Sequence, residues 1–185
     1  MVNSHNKSKG KKILIFDTSA ISALSRISLL NKIIAYKKAT NVELMLPSVV
    51  HDELRRYKSF PRIKEFLEQN FKVIIPPNEV MEEIERKKSG LGPGEISVIA
   101  SVISITREDN EAIVMAIIDD KRGRKSAKAL NLEVHGSLWI ITQLKKHNII
   151  TKEEAVNSIR TLPQHGFHIS EEDLQAVIEE IRRDC

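Results

Sequence analysis

Cysteine is nearly absent: Cys185, the last residue, is the only one. A framework of internal disulfides is excluded, which fits a reducing, cytoplasmic setting. Aromatic residues make up 4% of the 185 positions, with one tryptophan, Trp139. Extensive base stacking is therefore not expected. A polyanionic partner should be held through phosphates and shape, with marked salt dependence. No apolar run approaches the roughly 20 residues that cross a bilayer. The opening MVNSHNKSKGKK has no apolar stretch and does not read as a secretory signal. It reads as a disordered basic tail over residues 1–12. Beyond it there is no internal repeat or low-complexity tract. The net charge of +4 permits a polyanionic partner without demanding one.

What is present is enough apolar material for a core, 41% of the chain. Short β-branched runs alternate with segments of helical periodicity. Residues 13–16, 42–50, 71–77 and the run ending at Ile118 read as buried strands, and LEVH at 132–135 as a short fifth. Residues 20–38 read as one helix, or two broken near Ser28. Residues 49–70 read as helical with an interruption near Pro61, and Asn78 as the N-cap of the next helix. Pro93 should open a largely buried helix with Glu95 in its first turn. KRGRKSAKALN reads as a basic helix. Thr151 with Glu154, and Ser170 with Asp173, open two C-terminal helices as capping boxes. The alternation predicts an α/β fold, a three-layer sandwich around a parallel sheet.

In such a sheet the functional cleft lies at the carboxyl ends of the strands, where the strand order reverses. With order 3-2-1-4-5, strands 1 and 4 are neighbours there. Asp17 ends strand 1, and Asp119 and Asp120 end strand 4. Glu53 follows strand 2 in a helix, and Glu95 sits where a helix N-terminus favours a charged carboxylate. Clustered carboxylates must share protons or bind a cation. Hard divalent ions take oxygen ligands and serve phosphodiester hydrolysis. The cationic residues that follow, Lys121, Arg122, Arg124 and Lys125, are then candidates for holding a nucleic-acid backbone. Each acid also has an ordinary explanation as a helix cap or solvated side chain, so the expectation rests on their joint placement.

ILIFDTSAI, LPSVVHDEL, LGPGEISVIA and AIIDDKRGRKSAKALNLEVHGSL, taken together, resemble the PIN domain, the nuclease fold of many toxin-type ribonucleases. The likeness is nearest to the predicted nucleic-acid-binding branch, with a Gly-rich turn before the third acid and a double Asp after strand 4. LPQHGFHISEEDLQAVIEEI resembles the tail such proteins carry. The resemblance implies a nuclease domain at 13–150 and a C-terminal helical extension, 151–185, packed on it. It implies a Mg²⁺- or Mn²⁺-dependent endoribonuclease acting on single-stranded RNA, with Asp17, Glu53, Glu95 and Asp120 as the acids and Asp119 as neighbour or alternative. Asp17, Glu95, Asp120 and Asp119 are the implied metal ligands, and Thr18 or Ser19 the hydroxyl beside the first acid. A toxin role with a small antitoxin partner and a homodimer also follows from the resemblance. One departure stands out: Ile118-Asp119-Asp120 occupies the place of the common Thr-X-Asp. A non-catalytic PIN-like RNA-binding or scaffold protein is the rival reading. His165 and His168, without cysteine partners, read as loop residues rather than zinc ligands. His51 reads as solvated, Trp139 as core or interface, and His135 has no assigned role.

Overall fold

The computed structural model describes residues 10–88 and 90–183. Residues 1–9 of the expected tail, and Cys185, lie outside the described residues. The first strand, β1 (Lys12–Phe16), begins one residue before its apolar run. Lys12 therefore belongs to the sheet, opposite Ile113, and not to the tail. Lys11 forms an ion pair with Glu43.

Five strands form one all-parallel sheet: β1, β2 (Glu43–Pro47), β3 (Lys72–Ile74), β4 (Ile113–Ile117) and β5 (Glu133–His135), in the order β3-β2-β1-β4-β5. The expected α/β fold and strand order both hold. Aliphatic and β-branched residues without polar breaks suit a sheet covered on both faces, and Leu14, Ile15, Phe16, Leu44, Leu46, Ala116 and Ile117 have no exposed surface. Each such side chain contributes roughly 1.5–3 kcal/mol by leaving water. The register sets Phe16 opposite Ile117, so β1 and β4 finish level. The Asp17 N–H then donates to the Ile117 carbonyl at 2.9 Å.

Several boundaries differ from those expected. Pro47 ends β2, and residues 48–50 belong to the following helix, α3 (Ser48–Arg55). β3 stops at Ile74; Ile75 is 85% exposed ahead of Pro76 and Pro77, which have no N–H for a ladder. Residues 20–38 form two helices, α1 (Thr18–Arg26) and α2 (Lys32–Thr40), with Ser28 at φ 60° between them. α4 (Phe60–Asn70) carries Pro61 in its first turn. The N-cap of α5 (Asn78–Lys87) is Pro77, not Asn78, and no side chain caps that end.

α6 (Pro93–Glu108) opens at Pro93 as expected and buries Ile96, Val98, Ile99, Ala100 and Val102. The remaining helices are α7 (Lys121–Ala129), α8 (Ser137–Lys146), α9 (Lys152–Thr161) and α10 (Glu171–Arg183), with a 3-10 turn, Leu162–His165, between the last two. Thr151 and Glu154 form both halves of a capping box, and Ser170 Oγ accepts from the Asp173 N–H at 3.1 Å. Ala155, Ile159, Leu162, Ile178 and Ile181 of this C-terminal part join the same apolar core as the sheet. No helix among the described residues is long and apolar enough to cross a membrane.

Candidate active site

Asp17 leaves β1 and caps α1. Its Oδ2 accepts from the Ser19 N–H at 3.2 Å and the Ser19 hydroxyl at 2.6 Å. The residue is 4% exposed. Burial pushes its pKa up; the Ser19 bonds oppose this and the nearby Glu53 charge adds to it. The next residue, Thr18, donates its hydroxyl to Glu53 Oε2 at 2.5 Å. Glu53 comes from α3, and its Oε1 accepts from the Gly94 N–H at 2.9 Å. A Cβ on Gly94 would stand 2.6 Å from Glu53 Oε2 and 3.1 Å from Asp17 Oδ1. The missing side chain is thus what lets both acids approach the start of α6.

Glu95 sits in the first turn of α6, where its Oε2 accepts from the Gly92 N–H at 2.8 Å. Its pKa is raised to about 7, first by desolvation, then by a carboxyl–carboxyl contact with Asp120 and by the charges of Asp120 and Asp17. Asp120 caps α7, its Oδ1 accepting from the N–H groups of Arg122 at 2.7 Å and Gly123 at 3.0 Å. Partial burial works to raise the Asp120 pKa. The Gly123 N–H, Glu95 and the Arg122 N–H outweigh it and hold the group below its ordinary value. The two carboxyls are thus pushed in opposite directions, Glu95 toward holding its proton and Asp120 toward losing it. A second glycine makes room: a Cβ on Gly123 would stand 3.0 Å from Glu95 Oε1.

Asp17, Glu53, Glu95 and Asp120 are thus gathered at the carboxyl ends of the central strands, the crevice where the order reverses. Asp119 is not among them. Its two oxygens accept from the Ser137 N–H and hydroxyl, each at 2.6 Å, at the start of α8. Its backbone N–H donates to Ser19 Oγ at 3.2 Å. Asp119 fastens α8 to the end of β4, as a neighbour of the cluster, and Asp120 faces the other acids. Of the two hydroxyls, Ser19 serves Asp17 and Thr18 serves Glu53.

The basic run divides as well. Lys121, Arg122 and Lys125 are exposed. Arg124 is partly buried, its guanidinium donating to the carbonyls of Asp119 and Ile118. It braces the β4–α7 turn, which leaves three exposed cations at the start of α7 instead of four. His165 and His168 are exposed. His51 meets Phe60 edge-on, with centroids 5.7 Å apart. Sequence reasoning missed Ser137, the approach glycines Gly94 and Gly123, and His135. The dipeptide before Glu95, Pro93-Gly94, held the one available hint, since a glycine in the first turn of a good helix asks for a reason.

Among the described residues no three His, Cys, Asp or Glu side chains stand in a finished coordination set. Amide and hydroxyl donors hold the oxygens instead. The chemistry of the donors nevertheless fits a hard divalent cation. All four are carboxylates, and burial first, then the neighbouring carboxylates, pushes the pKa values of Asp17 and Glu95 up, a penalty on their charged forms that a bound cation would relieve.

No curated protein matches the chain. A family model does, and it runs through the sheet, the acids and the C-terminal helices alike: the PIN domain, over residues 13–183. With acids from β1, α3, α6 and the β4–α7 turn meeting at one crevice of a nuclease-like fold, this chain belongs to the PIN-domain family.

Proposed function

We propose that the protein is a metal-dependent endoribonuclease that hydrolyses phosphodiester bonds in single-stranded RNA. PIN domains are generally nucleases, and the observation that carries the finer reading is the meeting of Asp17, Glu53, Glu95 and Asp120. These four would hold Mg²⁺ or Mn²⁺. A bound ion of this kind supplies Lewis acidity to a phosphoryl oxygen and to the attacking water. The chain's own residues do the rest. Ser19 and Thr18 orient Asp17 and Glu53 through hydroxyl bonds. In its deprotonated form Glu95, with a pKa of about 7, would take up the proton lost by water as it adds to phosphorus, and the departing ribose oxygen would take a proton from solvent. Lys121, Arg122 and Lys125 offer exposed charge for the backbone phosphates. By its resemblance to toxin-type ribonucleases we further propose a cytoplasmic toxin that forms a homodimer and is restrained by a small antitoxin protein.

The test is incubation of single-stranded RNA with the protein and Mn²⁺, with and without chelator. Cleavage should require the ion, and Asp17→Asn or Asp120→Asn should lower its rate by about 10²–10³-fold while the fold persists. Full cleavage by both variants would refute the site. The amide and hydroxyl bonds that already hold Asp17, Glu53 and Asp120 suit a second reading as well, a PIN-like RNA-binding scaffold. RNA binding and ion-dependent stabilisation without any product would select it.

A further inference from the structure

A cavity of about 940 Å³ opens between the start of α7, the β5–α8 corner and the segment joining the 3-10 turn to α10. It is continuous with the acid cluster through two residues. Ser19 lines it and donates to Asp17, and Asp120 lines it and meets Glu95. On its wall His135 and Trp139 lie stacked, ring centroids 4.3 Å apart and planes 13° from parallel. Both rings are partly exposed, as is Phe167 across the cavity. Arg26 and Lys121 add positive charge to the lining, and the Arg26 guanidinium donates to the His165 carbonyl at 2.6 Å, tying the far wall to α1. The volume suits a ligand of nucleotide size.

We propose that this cavity is a nucleobase-binding subsite. It takes one unpaired base of a polynucleotide, stacked along the His135–Trp139 pair, while that nucleotide's phosphate lies toward Lys121 and the acids. The proposal rests on the nuclease reading of the adjoining cluster and adds what that reading lacks: a platform that selects an unpaired base beside the cleaved bond. A sequence with 4% aromatic residues cannot stack a long strand, but one platform at the site suffices to demand a flipped-out or single-stranded base. Sugar and phosphate alone would leave the flat, partly apolar wall uncovered.

Trp139 is the only tryptophan, so its emission reports on this cavity alone. In chelator, where no cleavage occurs, adenosine 5′-monophosphate should quench it saturably, and ribose 5-phosphate should not. His135→Ala should weaken that quenching about tenfold with an unchanged circular dichroism spectrum, the scale of one lost stacking contact. A labelled ribohexamer followed by anisotropy should bind Trp139→Phe within about threefold of wild type and Trp139→Leu about tenfold more weakly. Equal quenching by both ligands, quenching by neither, or wild-type binding by Trp139→Leu would overturn the subsite. Base-dependent quenching in a protein that yields no product with Mn²⁺ would retain the subsite and remove the nuclease. Cleavage without quenching would do the reverse.

Discussion

Glu95 keeps its proton in the folded chain at pH values where an ordinary glutamate has lost it. Its folded pKa is about 7, against 4.5 for the free group, because desolvation and the Asp120 and Asp17 carboxylates disfavour its charge. The unfolded chain releases that proton near pH 4.5 and the folded chain only near 7. The stabilisation is therefore fully present below pH 4.5 and is lost as pH rises to about 7. Asp17 shifts in the same direction. In chelator, urea unfolding at pH 5 and pH 8 should show wild type losing about 1–2 kcal/mol relative to Glu95→Gln, a figure already reduced for solvent screening. Millimolar Mn²⁺ should recover the loss in wild type but not in the variant. Gly94 gives a steric counterpart. Gly94→Ala puts a methyl group 2.6 Å from Glu53 Oε2, a flexible side-chain end, so the fold should survive. Cleavage should fall by up to about 100-fold, since displaced catalytic groups lose rate steeply; steady-state kinetics beside a melting curve checks this. At this scale the acids themselves were legible, because an Asp that ends an apolar run or a Glu in a first helical turn carries its position in the sequence. The choice between Asp119 and Asp120 was not. It depends on Ser137, 18 residues away from Asp119, whose nearness only the tertiary fold creates.

Among the elements, α7 joins two roles in one residue. Asp120 accepts two N–H groups at its start and also carries the charge that meets Glu95. Asparagine caps a helix as well as aspartate does, whereas alanine does not. Asp120→Asn should therefore keep its melting temperature near wild type, while Asp120→Ala should lose about 1 kcal/mol, roughly 2–4 °C in a chain of this size. Cleavage should fall by about 10²–10³-fold in both, and calorimetry with an activity assay separates cap from charge. Element breaks were legible where proline or a left-handed residue enforces them, as at Pro61 and Ser28. The ends of β3 and the cap of α5 were not, because pairing with β2, not the apolar run, decides where β3 stops.

At the scale of the whole molecule, a modest net charge of +4 hides a local concentration along the first turns of α7. Three exposed cations, Lys121, Arg122 and Lys125, should release about two counterions' worth of salt dependence on a single strand, at roughly 0.7 per contact. Replacing all three with alanine should flatten the plot of log affinity against log salt by about 2 units, measured with a labelled oligonucleotide. The strand order 3-2-1-4-5 came with the likeness to the PIN fold, whereas the apolar runs themselves were legible in the sequence. The cavity was not, since its walls come from β5, α8 and the segment before α10.

The two middle strands are neighbours in space although the chain visits them far apart: Ser19 meets the backbone of Asp119 across 100 positions. During synthesis, Asp17 and Glu53 leave the ribosome long before Asp120 exists. Under the proposed function a growing polypeptide would be harmless to the message that encodes it, because the four acids meet only when the fourth strand lies beside the first.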